Sequence, residues 1–96
     1  MKIPVVYMMA NKRNGTIYTG VSSNMPARDY IHKHAILSGF TSRYGCKILV
    51  WYEVHETMES AILREKQIKG GSRKRKLALI EKNNPEWRDL SNELWS

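Results

Sequence analysis

The sequence has little of what disulfide, thiolate-metal or membrane chemistry requires. Cys46 is its single cysteine, which excludes an intramolecular disulfide and a cluster of thiolate metal ligands. Long apolar runs are also missing, because the longest, from Ile3 to Ala10, is far shorter than the ~18 residues that a membrane span needs. We therefore predict a cytoplasmic protein without a membrane segment, in which Cys46 serves packing.

Acidic residues are scarce relative to basic ones. Nine Asp and Glu stand against 16 Lys and Arg, which gives a formal net charge of +7. This excess favours a polyanionic partner such as nucleic acid or an anionic membrane surface, and general solubility is the ordinary explanation. With 96 residues, of which 42% are hydrophobic, we expect a single domain over residues 1–96 with one modest core.

Local patterns predict an α+β fold. Residues 3–9 and 16–22 are rich in β-branched and aromatic types, and the Asn-Gly signal at Asn14 predicts a hairpin between them. Residues 47–54 predict a third strand that is buried on both faces, and therefore central or well covered. Helices are expected over about 25–38, from Thr57 through Lys69, and from Ser72 to about Asn83.

The last segment begins at Asn84-Pro85 and carries three large apolar residues. Trp87, Leu90 and Leu94 are spaced to share one face if the segment is helical. We expect that face to pack back onto the core, as a structural rather than a functional element.

Two tyrosines of the hairpin are predicted to project from one face, because side chains alternate along a strand. A two-residue loop at Asn14-Gly15 would leave Tyr7 and Tyr18 ~13 Å apart along the strands. A four-residue loop from Asn11 to Asn14 would place them directly opposite, with Cβ atoms ~5 Å apart. If both serve one site, we expect the longer loop.

Three further residues are candidates for contact with a substrate. Gly20 would lie on the face of Tyr18, where its missing side chain leaves an opening for a substrate backbone, although a bulge is the ordinary explanation. Arg28 and His32 are four residues apart and share one face of the first helix. Arginine suits a phosphate and histidine suits proton transfer near neutral pH, while a solvated polar face is the competing interpretation.

A carboxylate interrupts the apolar stripe of the second helix. Met58, Ala61, Ile62 and Ile68 define that stripe, and Glu65 falls on it. Because an unpaired buried charge is costly, Glu65 should pair with an arginine or bind a metal ion. Mg²⁺ is commonly held by one carboxylate together with water and a substrate phosphate, whereas a structural salt bridge is the alternative.

Taken in the order in which they occur along the chain, the motifs described above resemble those of the GIY-YIG nuclease superfamily, specifically its small stand-alone predicted endonucleases. The chain is also similar to the nuclease domain of the excision-repair incision protein and to GIY-YIG homing endonucleases. The half-motifs are Val5-Val6-Tyr7 and Tyr18-Thr19-Gly20, with ten residues between the tyrosines and Val5 in place of the family's glycine. The match continues through Arg28, His32, residues 39–41, 49–53, 61–62, 64–69, 76–81 and 84–90.

The resemblance implies a three-stranded antiparallel sheet flanked by helices and a phosphodiesterase site with one divalent metal, Mg²⁺ or Mn²⁺. Glu65 corresponds to the metal-binding glutamate. Arg28 would stabilise the pentavalent phosphate, and His32 would support acid-base chemistry or substrate contact. Tyr7 and Tyr18 would activate the attacking water and position phosphate or water, with Tyr7 favoured on the base side.

Residues 64–76 carry nearly all of the excess charge. They hold seven basic residues and one acidic residue, a local net charge of +6. Relatives usually have aromatic residues after the second helix, where this chain has glycine and basic residues. Positive charge at a helix start is mildly unfavourable, so phosphate binding explains the segment better than a solvated surface does. The residues predicted to bind substrate are Gly20, Lys66, Lys69, Arg73, Lys74, Arg75 and Lys76.

The sequence therefore predicts a metal-dependent endonuclease that hydrolyses phosphodiester bonds, with DNA favoured over RNA. We expect no separate specificity domain, so a protein partner that targets the chain is compatible with this function. The alternative is a non-catalytic nucleic-acid-binding module on the same fold. A basic structural or ribosome-associated protein ranks last, and no residue pattern specifies the oligomeric state.

Overall fold

A three-stranded antiparallel sheet lies at the centre of the structure, a computed structural model that describes residues 3–23, 45–91 and 93. The strand order is β2-β1-β3, so β1 is the central strand. This arrangement confirms the α+β class and the three-stranded sheet. The strands are β1 (Val5–Ala10), β2 (Ile17–Ser22) and β3 (Ile48–Val54).

Two helices follow β3, and both begin and end where the sequence predicts. Helix α1 is Met58–Gly70, and the Oγ1 of its N-cap Thr57 accepts a hydrogen bond from the Ser60 amide at 3.1 Å. Helix α2 is Arg73–Asn83 and is capped in the same way by Ser72. Among the described residues, no helix is long and apolar enough to cross a membrane. The helix predicted over 25–38 lies outside the described residues.

The hairpin register differs by two residues from the expected one. Tyr7 lies opposite Gly20 and Met9 lies opposite Tyr18, so the two tyrosines are diagonal neighbours. The prediction that they face each other directly is wrong. They nevertheless share one face, as predicted, because the shift is by an even number of residues.

The turn explains the register. The Asn11 Oδ1 accepts a hydrogen bond from the Thr16 amide at 2.9 Å, which keeps Asn11 in the hairpin stem instead of the loop. The four-residue loop is therefore Lys12–Gly15, closed by a 3.0 Å bond from the Gly15 amide to the Lys12 carbonyl. Asn14 adopts a φ of 57°, a left-handed conformation that asparagine tolerates well.

Strand β3 is an edge strand whose outer side is covered by the segment after α2. Met8 pairs with Trp51 and Met9 with Leu49, so Val50 between them forms a bulge. The Val50 carbonyl accepts a 3.1 Å hydrogen bond from the Asn84 Nδ2. The Leu90 amide also donates to the Leu49 carbonyl at 2.8 Å. This cover accounts for the burial of a strand that is not central.

The two faces of the sheet support separate apolar clusters. Helices α1 and α2 contribute to the first cluster, which contains Ala61, Ile68 and Ile80 together with Val6, Met8, Ala10, Val50, Trp51 and Trp87. The second cluster contains Val5, Tyr7, Met9, Cys46, Leu49 and Leu90. Burial raises the pKa of the Cys46 thiol, in agreement with a packing role.

Trp87 and Leu90 belong to different clusters, so the prediction that they share a face is wrong. Residues 87–90 are not helical, and Trp87 has a φ of 57°, so helical spacing does not apply there. Leu94 lies outside the described residues.

Candidate active site

Tyr7 and Tyr18 form a packed pair on the hairpin. Their ring centroids are 6.3 Å apart and their planes are inclined by 43°. Tyr7 is only 1% exposed, whereas Tyr18 is half-buried on the edge strand β2. Tyr18 is therefore the more accessible of the two side chains.

Gly20 permits this packing. A Cβ at Gly20 would lie 2.5 Å from the Tyr7 Oη, 2.6 Å from the Tyr7 Cζ and 3.0 Å from the Tyr18 Cε1. Such contacts are far inside van der Waals distance, so a larger residue would displace the Tyr7 ring. The space predicted to admit a substrate backbone is filled by that ring, and Gly20 acts by making room for tyrosine.

Glu65 lies on the side of α1 that is turned toward the core. Ala61 and Ile68, at helical spacing from it, are buried, and the Glu65 side chain is 16% exposed. Its Oε2 is 3.3 Å from the Nζ of Lys69, one helical turn further on. The same Nζ lies 5.9 Å from the centroid of the Tyr18 ring. Lys69 therefore connects the carboxylate to the tyrosine pair.

The Lys69 ammonium is a replaceable partner for Glu65. Its side chain is 50% exposed and that of Glu65 is 16% exposed, and a lysine-carboxylate pair that is open to solvent at the lysine contributes only about 1 kcal/mol. Within the described ranges no group of three or more His, Cys, Asp or Glu is arranged to hold a metal. Of the described residues near the tyrosine pair, Glu65 is the carboxylate to which Lys69 connects it.

Comparison with known proteins decides the family. The model described as the GIY-YIG catalytic domain matches residues 3–78. The chain belongs to the GIY-YIG family. A UPF0213 protein of Staphylococcus haemolyticus is 34% identical to it over 76 residues, 79% of this chain and 92% of the relative. A UPF0213 protein of Staphylococcus aureus strain Mu3 is 34% identical over 68 residues, 71% of this chain and 83% of the relative.

A solved structure shares the fold of this GIY-YIG protein. The solution NMR structure of a UPF0213 protein from Bacillus halodurans has a TM-score of 0.55 and 22% identity, and the match covers 96% of each chain. The resemblance inferred from the motifs is confirmed by these comparisons. GIY-YIG membership places the protein in an endonuclease superfamily, while the names of the UPF0213 relatives state no activity.

Three of the five predicted GIY-YIG catalytic residues lie in the described part of the chain: Tyr7 and Tyr18 belong to the cluster on one face of the sheet, and α1, which carries Glu65, packs on the other face. Tyr7 contacts Tyr18, and Lys69 bridges Tyr18 to Glu65. Arg28 and His32 lie outside the described residues. The apolar stripe beside Glu65 is narrower than predicted, because Ile62 is 39% exposed.

The basic segment, residues 64–76, does not form one continuous patch in this GIY-YIG protein. Lys69 faces the site, whereas Lys66 is exposed elsewhere on α1. The Arg73 Nη2 donates a 2.8 Å hydrogen bond to the Asn14 carbonyl and so ties the start of α2 to the hairpin turn. The remaining predicted phosphate ligands, Lys74, Arg75 and Lys76, follow in the first turn of α2.

A polar cluster between β3 and α1 is absent from the sequence-based prediction. The Glu53 Oε1 accepts a 3.1 Å hydrogen bond from the Arg64 Nε and lies 2.7 Å from the His55 Nε2. The other ring nitrogen of His55 is 2.9 Å from the Ser60 Oγ. The signal available in the sequence was the two-residue spacing of Glu53 and His55, which places both on one side of the strand.

Proposed function

We propose that this protein is a metal-dependent endonuclease that hydrolyses phosphodiester bonds in nucleic acid, DNA in preference to RNA. The observation that carries the proposal is the line Tyr7, Tyr18, Lys69 and Glu65, in which Lys69 links a pair of packed phenols to a carboxylate at the edge strand β2. GIY-YIG membership supports the nuclease class and, since such nucleases are generally dependent on divalent metals, the metal requirement.

Glu65 would hold the ion, and Mg²⁺ or Mn²⁺ is the expected species. When bound there, such an ion supplies Lewis-acid stabilisation of charge on the phosphate and on the leaving 3′ oxygen. Lys69 would then turn from the carboxylate toward a non-bridging phosphate oxygen, which its exposed, flexible stem allows. Arg28 would add a guanidinium to the same phosphate, and His32 would donate or accept a proton.

The exposures of the two tyrosines favour a division of labour. Tyr18, which is half-buried and next to Lys69, would contact the attacking water. Tyr7, which is 1% exposed, would hold the Tyr18 ring in place. The sequence-based preference for Tyr7 on the base side stays a prediction, and the burial of Tyr7 makes Tyr18 the stronger candidate.

Cleavage by the purified protein tests the proposal directly. A panel of branched, nicked, duplex and single-stranded DNA and of RNA is incubated with Mg²⁺, with Mn²⁺ or with a chelator. We expect cleavage only with metal, and the greatest activity on DNA. Glu65→Gln should slow it by at least ~100-fold, because several kcal/mol of charge stabilisation are lost and each 1.36 kcal/mol is tenfold.

Glu59→Gln is the matched control for Glu65→Gln. It removes the same charge from the exposed first turn of α1 and should leave the rate within about twofold. Arg28→Ala should reduce cleavage as Glu65→Gln does. Tight binding with no cleavage of any substrate would instead identify the non-catalytic binding module, the alternative that the lysine partner of Glu65 favours.

A further inference from the structure

A cleft of about 300 Å³ opens between α1 and α2 at the glycine joint, Gly70-Gly71, where the two helices meet. Arg64 contributes from α1, and Arg75 and Lys76 contribute from the first turn of α2. No acidic residue belongs to the lining that the structure describes. The remaining lining residues are Gln67, Ile68, Gly71 and Leu79.

This cleft is on a different side of α1 from the candidate active site. Arg64 and Gln67 are three residues apart and therefore share one side of the helix, and Gly71 follows directly after its last residue. Glu65 and Lys69 form their own pair on the next side, and Lys69 is the residue that reaches Tyr18. The three cations of the cleft thus have no part in the line of residues assigned to catalysis.

Arg64 is held in a fixed orientation within the cleft. The Glu53 carboxylate accepts from its Nε at 3.1 Å, and the Gln67 Oε1 accepts from its Nη1 at 3.5 Å. These two bonds leave Nη2 and the second hydrogen of Nη1 available to an anion, and a planar guanidinium binds phosphate oxygens in a bidentate manner. An oriented arginine is better prepared to bind a phosphate than a freely rotating surface lysine.

The charges in the first turn of α2 are unfavourable for a helix start. That turn contains no acidic residue, yet a helix N-terminus attracts negative charge through its free amides and dipole. Four consecutive basic residues, 73–76, make the mutual repulsion worse. A phosphate in the neighbouring cleft would relieve both costs.

We propose that this cleft binds a backbone phosphate of the nucleic acid, distinct from the phosphate that is cleaved beside Glu65. The inference rests on the proposed function in taking nucleic acid as the substrate. A helix is ~10–12 Å across with its side chains, and a strand places one phosphate per ~3.4 Å of duplex axis. One strand passing across α1 can therefore reach both sites with different phosphates.

Binding measurements without metal separate this proposal from catalysis. The full chain is titrated, in the presence of a chelator, with a fluorescein-labelled DNA duplex over a range of salt concentrations, and anisotropy gives the binding constant. Arg75→Gln and Lys76→Gln should each lower the slope of log K against log salt concentration by about 1. The double variant should lower it by about 2.

Lys82→Gln is the matched control. It removes one charge from the same helix, ~10 Å further along than Arg75, and should leave the slope unchanged. Arg64→Lys keeps the charge but loses the bidentate fork, so it should weaken binding without changing the slope. Circular dichroism checks that each variant retains its helices.

The outcomes distinguish the two proposals. If the double variant binds with the salt dependence of Lys82→Gln, the cleft assignment is wrong, whether or not the protein cleaves DNA. If the slopes change as expected but no substrate is cleaved, the cleft stands and the endonuclease assignment fails. If Arg64→Lys binds DNA as tightly as the wild type, the binding depends only on overall charge, and the assignment of a phosphate site to the cleft is wrong.

Discussion

The hairpin site (Tyr7, Tyr18 and Gly20) and the basic segment (residues 64–76) are organised by different forces. In the hairpin site, ring packing sets the geometry. A side chain at Gly20 would place its Cβ 2.5 Å from the Tyr7 Oη, so only glycine permits the observed arrangement. In the basic segment most side chains are exposed and their positions are set by a few polar contacts. Side-chain positions are thus determined by packing in the hairpin site and by polar and charged contacts in the basic segment.

This difference predicts two kinds of mutational response. Changes at Gly20 and Tyr7, the two buried residues of the hairpin site, should lower thermal stability and cleavage together, because the same packing supports both. Changes in the basic segment should leave stability almost untouched and should alter the binding of nucleic acid and its salt dependence.

The largest effect is expected at Gly20. Gly20→Ala adds a methyl group 2.5 Å from the Tyr7 Oη, so the ring or strand must shift, at a cost of ~1–3 kcal/mol. For a domain of this size each kcal/mol lowers the Tm by about 4–8 °C. Differential scanning calorimetry measures the loss, and cleavage should fall with it.

Gly70→Ala provides the control for Gly20→Ala. A Cβ there meets nothing within 4 Å, and alanine favours a helix, so the Tm should stay the same or rise slightly. A Gly20→Ala protein as stable and active as Gly70→Ala would mean that ring packing does not define the hairpin site.

The next effect concerns the two tyrosine hydroxyls. Tyr18→Phe should slow cleavage by about 100-fold with little change in Tm, because it removes an accessible phenol from the line to Glu65. Tyr7→Phe should slow cleavage by less than about tenfold and lower the Tm, since a buried hydroxyl is lost. Single-turnover rates and melting curves give both numbers. The reverse order of rates would return the base role to Tyr7.

Lys69→Gln has a smaller effect that separates its two roles. Removing the ammonium frees Glu65 and should tighten Mn²⁺ binding up to about fivefold, as expected for an exposed ion pair. Cleavage at low substrate should nevertheless fall, because a phosphate ligand is lost. Calorimetric titration with Mn²⁺ measures the first effect. Lys66→Gln, on another side of α1, is the control, and an equal gain there would mean that only overall charge matters.

The sequence was most informative where a local rule decides the structure. The caps Thr57 and Ser72 predict both helix starts, and alternation predicts that Tyr7 and Tyr18 share a face, because these features depend on neighbours within a few residues. The predicted hairpin register was wrong because the observed register depends on one side-chain hydrogen bond, from the Thr16 amide to the Asn11 Oδ1.

Contacts between distant residues could not be predicted from spacing. The Arg64–Glu53 ion pair and the Arg73–Asn14 hydrogen bond join segments whose relative placement depends on how α1 and α2 pack on the sheet. The same limit hid the cleft at the glycine joint, since the composition of 64–76 shows its charge but not which side each residue faces. The apolar stripe singled out Glu65 before the family resemblance did, but it predicted an arginine or a metal ion as its partner, and the structure shows Lys69.

The smallest predicted effect tests the point at which the two regions meet. Arg73 belongs to the basic segment, but its guanidinium also donates to the Asn14 carbonyl in the hairpin turn at 2.8 Å. Arg73→Gln should therefore lower the Tm by a few degrees, the equivalent of ~0.5 kcal/mol for one exposed hydrogen bond. Lys74→Gln removes the same charge one residue later and should leave the Tm unchanged. Both variants should reduce the salt dependence of DNA binding by about the same amount. If their melting temperatures are equal, the turn and α2 are energetically independent, and the division between a packed hairpin and a charged segment is complete.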